Sequence, residues 1–178
     1  FVQKDGKSNI SDTQSAVFEY DDLNCNWQHR TWGSPDDPDY PWSFKIYGTN
    51  GVLKGDVMKA EFIPIDGGET IRFDVLYERE KYPEDLTEKD IELHAAPATR
   101  GHMIDFLNAI EKGTKPIADI EEGHISTASC ILANLSMDLK RPLIYEPNSR
   151  TILNDPEATA LLQRAYRGDW EHPHPDTV

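Results

Sequence analysis

The residues best equipped for chemistry sit close together in the first quarter of the chain. Trp27-Gln28-His29-Arg30 is followed by Trp32, which gathers two indoles, an amide, an imidazole and a guanidinium within six positions. Indole faces stack on the CH surfaces of sugar rings. Gln, His and Arg hydrogen-bond hydroxyls, and Arg can also hold a carboxylate with two parallel bonds. An imidazole can move a proton near neutral pH. The same pattern also suits a plain surface strand whose aromatics pack under helices or in a subunit contact. Just downstream, Asp36, Asp37 and Asp39 echo a cation-binding loop. They lack the EF-hand glycine and the distal bidentate Glu, so the segment reads as a solvated acidic turn. Tyr40 and Trp42 beside them are placed to cover a pocket as a lid. Trp27, His29, Arg30, Tyr40 and Trp42 are therefore the candidate ligand-contacting set.

The remaining reactive residue types form no catalytic constellation. His172-Pro173-His174 with Asp176 offers two imidazoles on a tail, too few for a convincing transition-metal site. His102 and His124 each lie near an expected helix start, where a structural role is the plainer reading. Glu84-Asp85 and Glu121-Glu122 are adjacent pairs, and neighbours in sequence do not face one another on a helix or strand. The sequence has no G-x-S-x-G elbow, no Cys/His nucleophile spacing and no Gly-Lys-Ser/Thr phosphate loop. It also has no G-x-G-x-x-G turn after a strand, so no backbone cradle for a dinucleotide pyrophosphate is visible. No residue is assigned as catalytic or as a metal ligand.

The bulk numbers bound the rest. A chain of 178 residues, with 38% hydrophobic and 28% charged residues, is long enough to bury a core and too apolar to be disordered. The formal charge of −14 repels nucleic-acid phosphates and anionic membranes, and favours solubility or a neutral or cationic small ligand. No apolar run approaches a membrane span. Cys25 and Cys130 lack a second cysteine at metal-ligand spacing and read as buried free thiols. The start, Phe1-Val2-Gln3-Lys4, lacks a Met or a signal peptide and reads as that of a fragment or processed chain.

Periodicity places these residues on elements. Residues 1–14 form a polar lead-in, 15–170 a single domain, and 171–178 a polar, Pro-rich tail. Ser15 to Tyr20 and Asn24 to Trp32 alternate as strands close enough for an antiparallel hairpin, with Ala16, Phe18 and Tyr20 on one face, and Cys25, Trp27, His29 and Thr31 on one side of the second strand. Pro35, Pro38 and Pro41 make the next segment a loop. Ser43–Tyr47, Val52–Ile63 with a break at Gly55, and Thr70–Tyr77 then read as a meander. Its turns fall at Gly48-Thr49-Asn50-Gly51, where Asn-Gly tolerates positive φ, and at Gly67-Gly68. After a charged linker the period changes. Met103, Phe106, Leu107 and Ile110 predict a helix stopped by Gly113. Asp119 caps a second helix with the stripe Ile125, Ala128, Leu132, Leu135 and Leu139. Leu143–Tyr145 is a short strand, and Asp155-Pro156 opens a last helix. Strands first and helices later imply an α+β fold: an open, mostly antiparallel sheet with helices on one face.

Several of these segments, in this order, are familiar. They are Trp27 to Arg30, Ile46 to Gly51, His102, Ala118-Asp119-Ile120, Gly123-His124, Ala133-Asn134-Leu135, Leu161-Leu162 and Tyr166-Arg167-Gly168 with Trp170. Together they resemble the C-terminal domain of the glucose–fructose oxidoreductase, inositol dehydrogenase and MocA (Gfo/Idh/MocA) family, most closely a bacterial branch with a Tyr-Arg-x-x-Trp ending. The likeness runs from about Asp12 to Trp170. In that family an N-terminal Rossmann domain binds NAD(P). The C-terminal sheet supplies substrate contacts and, through its exposed face, oligomer contacts. The catalytic Lys of the Glu-Lys-Pro motif belongs to the Rossmann side, and the Asp-x-x-x-His element falls just upstream of the Ser15 strand.

The resemblance implies the half of a sugar or cyclitol oxidoreductase that holds the substrate. The intact enzyme would pass a hydride between nicotinamide C4 and a hydroxyl-bearing carbon. His29 is the best match to a substrate-facing position, followed by Arg30 and Trp27. No cofactor is expected in this chain; NAD(P) is expected in the full-length parent, on the missing Rossmann domain. The expected partners are the sugar or cyclitol, that domain, and further copies of the chain, with no nucleic acid and no membrane. Two other readings stand beside this one. The parent could be an NAD-dependent glycosidase, which would cleave nitrophenyl glycosides without accumulating NADH. The chain could also be a freestanding sugar-binding or assembly module.

Overall fold

A computed structural model of the chain describes residues 10–89, 92, 95–164 and 166–171. Most of the polar lead-in lies outside the described residues. So do residues 172–178, which carry His172, His174 and Asp176. The chain divides into two compact units, Phe1–Ile117 and Ala118–Val178.

The first unit opens with the expected hairpin, β1 (Thr13–Glu19) and β2 (Asn24–Arg30). The strand begins at Thr13, inside the segment read as lead-in. Thr13 opposes Arg30, Ala16 opposes Trp27 and Phe18 opposes Cys25. Residues directly opposite in an antiparallel pair share a face. Gln14, Ala16 and Phe18 therefore lie with His29, Trp27 and Cys25, while Arg30 and Gln28 are on the other side.

A loop then leads into the meander β3 (Phe44–Gly48), β4 (Gly51–Gly55), β5 (Lys59–Pro64) and β6 (Ile71–Asp74), paired in that order. Its register sorts the side chains cleanly. Phe44, Ile46, Leu53, Phe62, Ile71 and Phe73 fall on one face, and Lys45, Lys54, Glu61 and Arg72 form a row across the other. The β3–β4 turn is the predicted Thr49-Asn50 pair, but the positive φ falls on Gly51 (φ 156°) rather than on Asn50. A Cβ at Gly51 would collide with the Ile63 carbonyl oxygen and lie 2.9 Å from the Phe62 ring. The β4–β5 turn is tied by Asp56, whose Oδ1 accepts from the amides of Met58 (2.7 Å) and Lys59 (2.9 Å). β6 is shorter than the predicted Thr70–Tyr77; one further bond, Val75 N–H to Met58 O at 2.7 Å, extends the pairing before it ends.

Beyond a short 3-10 turn (Pro83–Leu86), α1 (Ala96–Lys112) ends at Gly113 in the left-handed conformation (φ 63°), as predicted. The buried Asp85 accepts a 2.6 Å hydrogen bond from Arg100 Nη2, and the Arg100 guanidinium lies 3.5 Å over the Tyr82 ring. This contact ties the turn to the helix.

The second unit begins with α2 (Ile120–Leu139). Asp119 caps it, accepting from the amides of Glu121 (2.8 Å) and Glu122 (3.1 Å). A small hairpin follows, β7 (Tyr145–Glu146) with β8 (Thr151–Ile152), then the short α3 (Pro156–Ala160) capped by Asp155. The Thr159 hydroxyl accepts from Ile152 N–H (3.0 Å) and donates to Ile152 O (3.2 Å), seating α3 on β8 with Ile152 and Ala158 buried. Arg141 clasps Asp155 through two bonds (2.9 and 3.0 Å) and reaches Glu157 at 2.6 Å.

The fold is α+β, and every strand pair is antiparallel. The strands are distributed over three sheets among the described residues rather than one broad layer. Both cysteines are free, but they are exposed, not buried. Cys25 sits on β2, where every residue but Arg30 is exposed.

Candidate functional site

The five candidate residues line one open cleft of about 910 Å³ in the first unit. Its wall includes consecutive β2 residues of both parities, from Asn26 to Arg30. Neither face of the hairpin alone could supply them. Among the described residues β2 pairs only with β1, and its other edge forms the wall. Trp27 and His29 approach from one side of that edge and Arg30 from the other.

The loop after β2 closes the cleft opposite this edge. Its start is pinned to β1: Thr31 N–H bonds Asp12 O at 3.0 Å, and the Trp32 indole N–H bonds Thr13 Oγ1 at 2.8 Å. Arg30 braces the next stretch through Nη2, which reaches Ser34 O at 2.8 Å and Asp36 Oδ1 at 3.0 Å. Its Nη1 reaches Gln28 Oε1 at 3.5 Å. Tyr40 is the anchor. It is only 6% exposed and lies against the charged face of the meander, with Lys54 Nζ 4.3 Å and Lys59 Nζ 4.6 Å from its ring centre. Trp42, two residues on, is 76% exposed and projects from the rim. The two predicted lid aromatics therefore differ in kind. Tyr40 holds the loop down, and Trp42 is free to meet a ligand.

The acidic turn is not solvated throughout. Asp37 Oδ2 lies 3.7 Å from Lys45 Nζ and 3.6 Å from Lys54 Nζ. Lys54 also bonds Glu61 at 2.8 Å, and Arg72 lies 3.5 Å from the other Glu61 oxygen. Partial burial pushes the Asp37 carboxyl upward. The Asp39 amide and the charges of Lys54 and Lys45 outweigh that and hold it below the usual carboxylate range. The Lys54 hydrogen bond lowers Glu61, and the same bond raises Lys54. Burial first, and the Glu61 charge second, push the Tyr40 hydroxyl up. Sequence reading missed Lys45, Lys54 and Glu61. The one available signal was that the charged residues of β3 to β6 keep to one parity of each strand: Lys45, Lys54, Lys59 with Glu61, and Arg72 with Asp74.

Neither His102 nor His124 is among the residues that line the cleft. His102 lies in the second turn of α1 and His124 in the first turns of α2. Among the described residues no group of three or more His, Cys, Asp or Glu side chains could hold a metal ion, and no helix is long and apolar enough to cross a membrane.

Residues 43–172 match the family model described as the C-terminal alpha/beta domain of an oxidoreductase family, Gfo/Idh/MocA. The chain belongs to the Gfo/Idh/MocA oxidoreductase family. Comparison with curated proteins and with solved structures returns no match. The five candidate cleft residues lie just ahead of the matched segment, which begins at Ser43.

The family implies a nicotinamide dinucleotide, but the described residues of this Gfo/Idh/MocA domain do not fit one. Dinucleotide cradles need a strand, a glycine turn and a helix whose free N-terminal amides face the pyrophosphate. Every strand pair here is antiparallel, so no parallel βαβ unit is present among the described residues. The α2 and α3 N-termini are already filled by the carboxylates of Asp119 and Asp155. The α1 entry carries a proline and no glycine turn.

Proposed function

We propose that this chain is the substrate-binding part of an NAD(P)-dependent sugar or cyclitol oxidoreductase, and that the cleft along β2 holds the sugar. The observation that carries this reading is the convergence of Trp27, His29, Arg30, Tyr40 and Trp42 on one cleft in a member of an oxidoreductase family. The indoles of Trp27 and Trp42 stack on the ring. The β2 edge and His29 bond its hydroxyls. Arg30 acts indirectly, by holding the loop through Ser34 and Asp36. The dinucleotide, and the hydride chemistry it supplies, belong to a Rossmann domain outside these residues. This chain contributes orientation, which lowers the barrier by fixing the reacting carbon in place.

The reading extends to assembly. Phe44, Ile46, Ile71 and Phe73 share the apolar face of the meander, and all four are exposed. A second copy of the chain covers this face in the proposed homo-oligomer.

Trp27→Ala and Trp42→Ala in the NAD(P)-dependent enzyme containing this domain test the substrate reading. The expected result is a rise in KM for the sugar of about tenfold or more, with an unchanged KM for the dinucleotide. Unchanged sugar KM in both variants would place the substrate elsewhere.

A further inference from the structure

We infer that Asp37 sets the charge class of the ligand: the cleft accepts uncharged polyols and turns away sugar acids. This rests on the proposed reading of the cleft as a sugar site. The walls carry two fixed cations, Arg30 and Lys45, and three carboxylates, Asp36, Asp37 and Asp56. Each cation already has a partner. Arg30 is spread over Asp36, Ser34 O and Gln28. Lys45 faces Asp37, whose same oxygen also faces Lys54 behind it. Lys54 is further engaged with Glu61, and the Tyr40 ring lies against both Lys54 and Lys59.

A ligand carboxylate entering this cleft finds no unclaimed cation among the described residues. It must displace a fixed aspartate from Arg30 or Lys45, and it then remains beside carboxylates that repel it. An uncharged ring needs no counter-ion. Its hydroxyls bond the β2 edge and its CH face meets the indoles. Asp37 is the decisive residue because one carboxylate occupies two ammonium groups at once.

The test uses the 178-residue chain and matched ligand pairs: D-glucose with D-glucuronate, and D-galactose with D-galacturonate. Binding is read from the indole N–H resonances of Trp27 and Trp42. At least one neutral sugar is expected to bind about tenfold tighter than its acid, with the gap narrowing as salt screens the walls. An acid that binds the unmodified chain as tightly as its neutral partner overturns the inference while leaving the sugar site standing. Silence from all four ligands overturns the sugar site itself, and the inference with it. Asp37→Asn frees the Lys45 ammonium, while Lys54 keeps Glu61, and is expected to bring the acid within about threefold of the neutral sugar, a gain removed again by adding Lys45→Gln. A folded Asp37→Asn variant with an unaltered preference also overturns the assignment. The comparison in the unmodified chain decides the matter if that variant does not fold.

Discussion

Lys45 and Lys54 stand directly opposite each other on β3 and β4, and the Asp37 carboxylate lies 3.7 Å from one ammonium and 3.6 Å from the other. Like charges at opposed positions of an antiparallel pair destabilise the ladder. A residue from the loop resolves the conflict, and the loop gains an anchor on the sheet. The same aspartate therefore ties the loop that closes the cleft to the meander.

Asp37→Asn should leave the two ammonium groups facing one another with only Glu61, bonded to Lys54, to compensate. The expected outcome is a lower urea midpoint and a more mobile Trp42, read from indole relaxation. Adding Lys45→Met removes the repulsion and should recover most of the lost stability. A double variant no more stable than the single one would show that the lysine pair exerts no strain.

The pH dependence follows from the same groups. Asp37 and Asp155 are held below 3.8 and Glu61 below 4.5, the ordinary values for these side chains. For Asp155 the cause is the Arg141 hydrogen bond, followed by the Ala158 amide. Carboxylates with lowered folded-state values contribute stability that is complete above their unfolded values and lost as pH falls through the folded ones. Lys54, raised above 10.5, contributes stability that is complete below that value and lost as pH rises past it. The urea midpoint should be level between these limits and fall below about pH 4. A decline between pH 7 and 5 would contradict the assignment to these carboxylates.

Two glycines with positive φ should respond differently to a methyl group. Gly67 has open space around its missing Cβ (φ 78°), so Gly67→Ala carries only the left-handed backbone cost of about 1 kcal/mol. Gly51 has the Ile63 carbonyl and the Phe62 ring in the way, so Gly51→Ala adds overpacking of roughly 1–3 kcal/mol. Paired denaturation curves check the ranking. Equal losses would mean that the β4–β5 contact yields easily.

The local features were legible in the sequence because local chemistry decides them. Alternation set the β1–β2 hairpin and the meander. Asp119, Gly113 and Asp155-Pro156 marked helix ends through caps that depend on a few neighbouring residues. The convergence of Trp27, His29, Arg30, Tyr40 and Trp42 was partly legible, since all five fall within sixteen positions. What a single residue type does across a long loop was not. Tyr40 and Trp42 look alike as loop aromatics, and only the lysines of β4 and β5 distinguish the anchor from the free ring. Asp37 reads as a solvent-facing acid until the meander's register places Lys45 beside Lys54. The partition into three sheets was hidden for the same reason: strand periodicity names a strand's faces but not its edge partner. Cys25 is exposed because it lies on β2, an exposed strand, and strand patterning alone does not settle burial.

The central claim is that these residues hold the reactant and not the redox dinucleotide. The most direct measurement is a titration of the chain with neutral sugars and cyclitols, and separately with NAD(H) and NADP(H), following the Trp27 and Trp42 indole resonances. The account predicts saturable shifts with at least one polyol and none with either dinucleotide. Saturable shifts with a dinucleotide, and none with any polyol, would contradict it.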